Sequence, residues 1–424
     1  MTAACAQPAS EPIGEIVQQP GANAAHHTGA TPPLLRAPQD NDRWRQLIEG
    51  GDPAALLAQA ALIEAGEAAM EMPIRPVTDG KDEGKPVAPS GDPQDYMSLS
   101  PYWWPNPDTP DGTPYIRRDG EINPERHDYD TPKMGDMGKA VRDLAFAYAV
   151  SGDERFADRA GAHLRAWFID PGTRMNPHMR FAQSVPGVAD GRAVGIIDTN
   201  RLRWVPDSAV ILVPSNAWTH EDHTALQRWF AEYLEWLLTS DLGIEEGRAR
   251  NNHGTWYLAQ TALYALFTGQ HDRVRQQVNA AKPLLASQIE PNGSQPHELA
   301  RTRSLDYCDF NIRAYLDLSR YGEQVGVDLF AYESEDGRSL RHAIDYVIPY
   351  MTGDEEWSYR QISPPRYHMY YQMLRMAARL YDEPRYEAAA QNLPEATQSV
   401  RWIDFVTPRI HELDTMPGGH RHHE

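Results

Sequence analysis

Cysteine is almost missing from this 424-residue chain: Cys5 and Cys308 are the only two. That excludes a disulfide framework and a thiolate-rich metal centre. Lysine is nearly as scarce, at positions 81, 85, 133, 139 and 282 alone. Most positive charge is therefore arginine, whose planar fork suits two-point recognition of carboxylates. Positive charge as a whole is in deficit, 40 Lys and Arg against 60 Asp and Glu, for a formal net charge of −20. Nucleic acid is thereby excluded as a partner, because its phosphates require clustered basic residues. A polyanionic substrate is not excluded, since only the local potential acts within a Debye length of about 8 Å. No apolar run approaches the roughly 18 residues that a membrane span needs. Strand-forming runs are lacking too; residues 209–213 are the one β-branched stretch of note, and they lie between prolines.

What remains is a helical chain of ordinary globular composition, 41% hydrophobic and 24% charged. Residues 1–40 are rich in Ala, Pro, Gly and Gln without a period, and read as a disordered leader. Ala4-Cys5-Ala6 has the small-residue pattern of a signal-peptidase site, and Ala3-Ala4-Cys5 fits the end of a lipoprotein box. The leader therefore reads as a signal remnant. The expected location is the periplasm or exterior of a bacterium, with lipoprotein anchoring as an option. Helical spacing of apolar residues predicts helices over 42–49, 53–69, 137–148, 156–167, 226–237, 256–267, 272–289, 309–321, 338–350, 366–381 and 384–392. Polar, proline-rich loops fill 73–135 and 170–199. Helices joined mostly as hairpins, with long loops, predict an all-α fold: an (α/α) toroid or incomplete barrel. It is expected as a single domain over 41–400, followed by a tail at 401–424. His420, His422 and His423 in that tail lack a partner spacing for a metal, and no other pattern calls for a metal or cofactor.

Two polar stretches ask for chemistry. Asn251-Asn252-His253 stands directly before the apolar run from Trp256 to Phe267. Helix capping accounts for one Asn, but not for two followed by His. A helix N-terminus also offers free N–H groups and the positive end of a dipole, a place for an anion. The second stretch, from Asn292 to Tyr307, carries Arg301, Arg303 and Tyr307. With Glu298 onward read as helix, 100° per residue sets Arg303 and Tyr307 on one face and leaves Arg301 about 240° away. If the helix is regular, Arg303 is the better partner for the phenol; if the turn is still unwinding near Arg301, that preference weakens. An amide, an imidazole, a guanidinium and a phenol in one pocket can neutralise a carboxylate, remove the proton alpha to it and protonate a leaving oxygen. That chemistry is β-elimination on a uronic acid polymer. Tyr102, Trp103 and Trp104 are candidates to stack on sugar rings. Arg180 and Gln183 sit in a loop able to line a cleft, and Arg366 and His368 form a late polar cluster able to meet another carboxylate.

The run Asn251-Asn252-His253-Gly254-Thr255-Trp256, the spaced set Gly293-Ser294-Gln295, Glu298-Leu299, Arg301 and Tyr307, and the motif Tyr102-Trp103-Trp104-Pro105 occur together with Met175-Asn176-Pro177, Arg180-Phe181-Ala182-Gln183 and Gly195-Ile196-Ile197-Asp198. Their order, over about residues 95–380, resembles the polysaccharide lyases built on an alginate-lyase domain. The resemblance implies an (α/α) toroid that cleaves 1,4-linked polyuronates, glucuronan or alginate, without a metal, leaving unsaturated uronate ends. It implies Asn252, His253 and an arginine, 301 or 303, around the substrate carboxylate, with Tyr307 at the glycosidic oxygen. Asn251 is a further candidate contact for the anionic polysaccharide. Two rivals stand beside this reading. An α/α-barrel glycoside hydrolase needs two carboxylic acids flanking the bond, for which Asp136, Asp198 and Glu298 are available. A non-catalytic polysaccharide-binding toroid needs none of these roles.

Overall fold

The computed structural model describes residues 44, 46–393 and 402–407. The leader at 1–40, the signal-type motif at 3–6 and the histidines at 420–423 lie outside the described residues. Helices α1 (Pro53–Met70), α2 (Thr131–Ser151), α4 (Val205–Leu212), α7 (Asn252–Phe267), α10 (Ser304–Glu323), α12 (Tyr367–Tyr381) and α14 (Trp402–Val406) pack in that order, and α14 returns to α1. That closes a ring. A second layer leans on it: α3 (Glu154–Leu164) on α2, α5 (His220–Thr239) and α8 (His271–Gln288) on α7, α11 (Leu340–Thr352) on α10, and α13 (Pro384–Gln391) on α12. The fold is an all-α toroid.

Local chemistry sets the hairpins. Asp52 accepts from the backbone N–H of Ala55 at 2.8 Å, and Pro53 sits in the first turn of α1, where a missing N–H costs nothing. Gly152, at φ 71°, ends α2 in the left-handed conformation, and Asp153 caps α3 one residue later. Thr219 and Asp222 form a reciprocal capping box at the start of α5. Helices α7 and α10 are buried on nearly every face. Without a polar stripe, they fit only a ring flanked on both sides.

The one β-branched stretch, at 209–213, falls in and just after helix α4, which has Pro206 in its first turn. Two expectations are revised. The loops at 95–199 carry short strands, β1 (Met97–Leu99) parallel to β4 (Phe181–Ser184) and β2 (Trp103–Trp104) antiparallel to β3 (Ile116–Arg117). The tail does not begin at 401. Trp402 packs edge-on to Trp204 at 4.7 Å, and Phe405 meets Trp44 at 5.4 Å and Phe146 at 5.3 Å, so α14 belongs to the core. Among the described residues no helix is long and apolar enough to cross a membrane.

Candidate active site

Two adjoining cavities, of about 630 and 710 Å³, share Tyr102, Arg126, Arg201, Tyr307 and Phe310 and so form one cleft with two lobes. The first lobe has Asn251, Asn252, His253 and Arg301 in its wall; the second has Arg303, Arg366 and His368. Twelve Lys and Arg residues line the whole against three carboxylates, Asp198, Asp306 and Asp309. On a chain of net charge −20, the cleft reverses the sign of the local potential.

Tyr307 lies where the lobes meet, at the first turn of α10. Its hydroxyl accepts from Arg301 Nη2 at 2.9 Å and is 2.8 Å from the hydroxyl of Tyr102. The Arg301 guanidinium covers the Tyr307 ring at 3.9 Å. The expectation that Arg303 stands beside the phenol is therefore corrected in favour of Arg301. Helical periodicity did not apply, because α9 (Pro296–Leu299) ends before Arg301 and α10 starts only at Ser304. The residues between form a bend and turn that is clamped from two sides. Ile362 donates its N–H to the Thr302 carbonyl at 2.9 Å, and the Thr302 hydroxyl donates to the Asp119 carbonyl at 3.0 Å. Gly120, at φ 81°, makes this closeness possible: a Cβ there would lie 2.2 Å from Thr302 Oγ1. Asp119 completes the clamp, accepting from Arg301 Nη2 at 2.9 Å, Arg301 Nε at 3.3 Å and Arg117 Nη2 at 2.7 Å. Burial pushes its carboxyl up, but the hydrogen bonds from Arg301 and Arg117 outweigh that and hold it well below the usual carboxylate range. Burial and the neighbouring Tyr102 push the Tyr307 phenol far above its ordinary range, and Arg301 offsets only part. Tyr307 therefore stands as a neutral O–H donor.

Also lining the first lobe, His253 has its Nδ1 2.7 Å from Oε1 of the buried Glu246, at the end of α6 (Asp241–Glu246). A carboxylate at that distance makes Nδ1 the donor and leaves the Nε2 lone pair for other work. Asn251 is the cap of α7, its Oδ1 accepting from the His253 N–H at 3.2 Å. Asn252 is wholly buried and donates twice to Glu298, N–H to Oε1 at 2.8 Å and Nδ2 to Oε2 at 2.7 Å. Its uncommitted atom is Oδ1, which has no hydrogen-bond partner among the described residues. The Asn252 amide nitrogen is thus committed to Glu298. Burial raises the Glu298 carboxyl, against the pull of those Asn252 bonds.

The other candidates divide. Trp103 lines the first lobe, with the Arg192 guanidinium 5.6 Å over its ring, whereas Trp104 is not in the cleft wall and donates to the Glu121 carbonyl at 3.0 Å. The β2–β3 pairing separates them, since successive strand residues face opposite ways. Gln183 lines the first lobe at φ 48°, a left-handed conformation that a non-glycine residue keeps only when its surroundings enforce it, here through Ser98 and Asp198. Arg180 stays exposed and outside the cleft. Arg366 and His368 line the second lobe, Arg366 Nε lying 3.4 Å from Asp306. Among carboxylates weighed for hydrolysis, Asp136 is exposed beside Arg75, Asp198 accepts from Ser98 and Tyr96, and Glu298 holds Asn252. They do not flank one bond. Asp119, Glu246, Arg126 and Arg192 were not anticipated. Asp119 and Arg301 are 182 residues apart, and no local pattern joins them. Among the described residues no group of three or more His, Cys, Asp or Glu is arranged to hold a metal ion.

Comparison with known proteins follows the same line. The family described as alginate lyase matches residues 79–357. The crystal structure of an alginate lyase from Bacteroides ovatus is 36% identical with a TM-score of 0.83, covering 88% of this chain and 98% of that one. Alginate lyase A1-III from Sphingomonas species A1 is 15% identical with a TM-score of 0.51, covering 92% and 100%. A variant of A1-III complexed with a tetrasaccharide is 14% identical at a TM-score of 0.55, covering 92% and 99%. The likeness to A1-III is one of fold alone. No curated protein sequence matches significantly.

Proposed function

The chain belongs to the alginate lyase family and is a polysaccharide lyase, and from that premise we propose that it cleaves a 1,4-linked polyuronate, alginate foremost and glucuronan second, by β-elimination where the two lobes of the cleft meet. The observation that carries this reading is the joint presence of the Arg301–Tyr307–Tyr102 cluster and the His253–Glu246 pair on one cationic cleft.

The hydrogen on C5 of a uronate is hardly acidic while the neighbouring carboxylate is charged. Arg301 neutralises the dianion that develops on the carboxylate, an effect worth ~3–4 kcal/mol per well-placed donor. His253 Nε2 takes the C5 proton, and the buried Glu246 carboxylate stabilises the imidazolium that results; such a base contributes ~10²–10⁴-fold. The C4–O bond breaks, C4=C5 forms, and the departing oxygen takes the phenolic proton of Tyr307. Solvent then returns the proton from His253 to Tyr307. Asn252 Oδ1 serves as an acceptor, for a sugar hydroxyl or a protonated carboxyl, rather than as the donor its residue type first suggests.

Separate base and acid suit linkages whose H5 and O4 lie on opposite faces, as in guluronate. Where they share a face, as in mannuronate and glucuronate, Tyr307 serves in both steps only as the phenolate, its own proton lost to solvent and its charge held by Arg301 at 2.9 Å: it takes H5 and hands that proton to the departing O4. His253→Gln should therefore lose polyguluronate cleavage foremost, and Tyr307→Phe should lose cleavage of every polymer. Ultraviolet absorbance of the unsaturated product, followed on polyguluronate, polymannuronate and polyglucuronate, measures both. Products without the double bond would instead mark a hydrolase, and unchanged polymer length a binding protein. The same reading puts the enzyme in the bacterial periplasm or outside the cell, which fractionation of the native host tests.

A further inference from the structure

Resting on the polyuronate reading, we propose that the second lobe is a separate uronate subsite, in which Arg126 and Arg303 hold the carboxylate of a sugar adjoining the one that reacts. Most cations of the lobe already have an acidic partner: Arg313 has Asp309 at 2.9 Å, Arg366 has Asp306 at 3.4 Å, and Arg142 has Asp143 at 2.7 Å. Arg126 and Arg303 differ. Among the described residues neither has an ion pair or a side-chain hydrogen bond, and the Nε of each is buried without a partner. A guanidinium N–H shut away from water without an acceptor is destabilising, and native proteins keep few such groups. A carboxylate entering the lobe would supply the acceptor that these two N–H groups lack among the described residues, and would balance their charge.

Position names the anion. Arg126 lines both lobes and Arg303 only the second, so the two mark a path leading away from the Tyr307 hydroxyl. Burial and the like charge of Arg201 hold the Arg126 guanidinium below its ordinary range, a strain that a bound carboxylate relieves. Phe310 and Met369 give the lobe an apolar side for a sugar ring, and Gln372 gives it an amide for hydroxyls. A substrate carrying an acid group on consecutive sugars is thus read at two points: at Arg301 by the reacting residue and at the Arg126–Arg303 pair by its neighbour. The second lobe then decides how long and how regularly charged a substrate must be.

The test compares wild type with Arg303→Gln, Arg303→Lys and Arg126→Gln. Calorimetry measures affinity for a saturated tetrauronate and for a diuronate, and steady-state assays separate KM from kcat on alginate. Each Gln variant should weaken tetrauronate binding at least ~10-fold, with the loss appearing in KM more than in kcat, and Arg303→Lys should recover part of it. The diuronate should be affected less than the tetrauronate. Unchanged tetrauronate affinity in folded Arg303→Gln and Arg126→Gln would overturn the subsite. So would a fall in kcat at constant KM for Arg303→Gln, which would assign that guanidinium to the reacting carboxylate. Should Arg303→Gln melt early, Arg126→Gln decides alone. A wild type that neither binds nor cleaves any polyuronate would defeat the proposed function itself, a result distinct from these.

Discussion

Replacing Asp119 by Asn tests whether Arg301 acts through its clamp. The carboxylate gives Arg301 two hydrogen bonds, at 2.9 and 3.3 Å, and gives Arg117 one at 2.7 Å. An amide of the same shape removes the charge and turns one acceptor into a donor facing N–H groups. Charge-assisted bonds contribute about 1.5–3 kcal/mol each, but Asp119 is 24% exposed and Arg301 18%, so the lower end applies. About 2 kcal/mol of lost transition-state binding corresponds to a roughly 30-fold fall in kcat/KM. Because Arg301 also touches Tyr307, the loss should appear in kcat. The pH dependence has a definite sign. A carboxyl depressed in the folded state contributes stability above its unfolded pKa of about 3.9, and loses it as pH falls through the lower folded value. The gap in melting temperature between wild type and Asp119→Asn should therefore be full at neutral pH and close only in strong acid. In a double-mutant cycle with Arg301→Gln, the two losses should be far from additive. Turnover within twofold of wild type, or full additivity, would refute the clamp.

Gly120→Ala should disturb the same clamp from the backbone: its Cβ would lie 2.2 Å from Thr302 Oγ1 and 2.8 Å from Ile362 Cδ1 at φ 81°. A left-handed alanine costs about 1–2 kcal/mol, so melting should fall modestly while kcat/KM falls more than tenfold, as steady-state assays will read. His163 is buried, its ring nitrogens have no hydrogen-bond partner among the described residues, and burial, aided by Arg159, lowers its pKa to about 4. Below its unfolded value of about 6.5 the unfolded chain takes the proton first, so stability falls between pH 6.5 and 4, by about 2–3 kcal/mol. Urea midpoints at pH 7 and 4.5 should show that loss in wild type and its absence in His163→Leu. Raising ionic strength from 0.05 to roughly 0.5 M should raise KM for polymer several-fold and leave melting nearly unchanged, because screening weakens exposed cleft charges more than the buried core.

Helix positions were legible because apolar spacing is local: α7, α8, α12 and α13 fall within a few residues of where periodicity set them. The toroid followed from hairpin counting. What stayed hidden depended on contacts distant in the chain. Trp402 and Phe405 look like the start of a tail until Trp44, ahead of α1, and Phe146 of α2 appear as partners. The site was half legible. His253 and Tyr307 stood out because imidazole and phenol beside predicted helix starts have few bland explanations. Arg301 was misjudged because periodicity was extended across a break that only the pairing with residues 360–362 reveals. Glu246 and Asp119 were invisible, since an ordinary Glu and an ordinary Asp join a candidate site only through what they face, here His253 and Arg301.

The division of labour among the arginines explains how an acidic protein can hold an acidic polymer. Within the cleft, Arg117 and Arg301 share Asp119, while Arg201, Arg313 and Arg366 each lie near one carboxylate. Those pairs fix geometry but cancel much of their own field, so they cannot supply the net attraction. Arg126, Arg192 and Arg303 have no carboxylate partner among the described residues. Arg192 donates only to neutral acceptors, the Gln183 carbonyl at 3.1 Å and the Ser100 hydroxyl at 2.6 Å. Together with Arg250 of the first lobe, which likewise has no ion pair among the described residues, they carry the uncancelled charge: Arg192 and Arg250 in the first lobe, Arg303 in the second, Arg126 in both. A chain with a charge on every sugar would meet uncancelled guanidinium groups in both lobes. Arg192→Gln should accordingly weaken polymer binding as Arg303→Gln does, and the double variant should lose the product of the two factors, since the residues sit in different lobes and share no partner. Equal losses in the single and double variants, measured by calorimetry with the tetrauronate, would mean that one lobe alone holds the polymer.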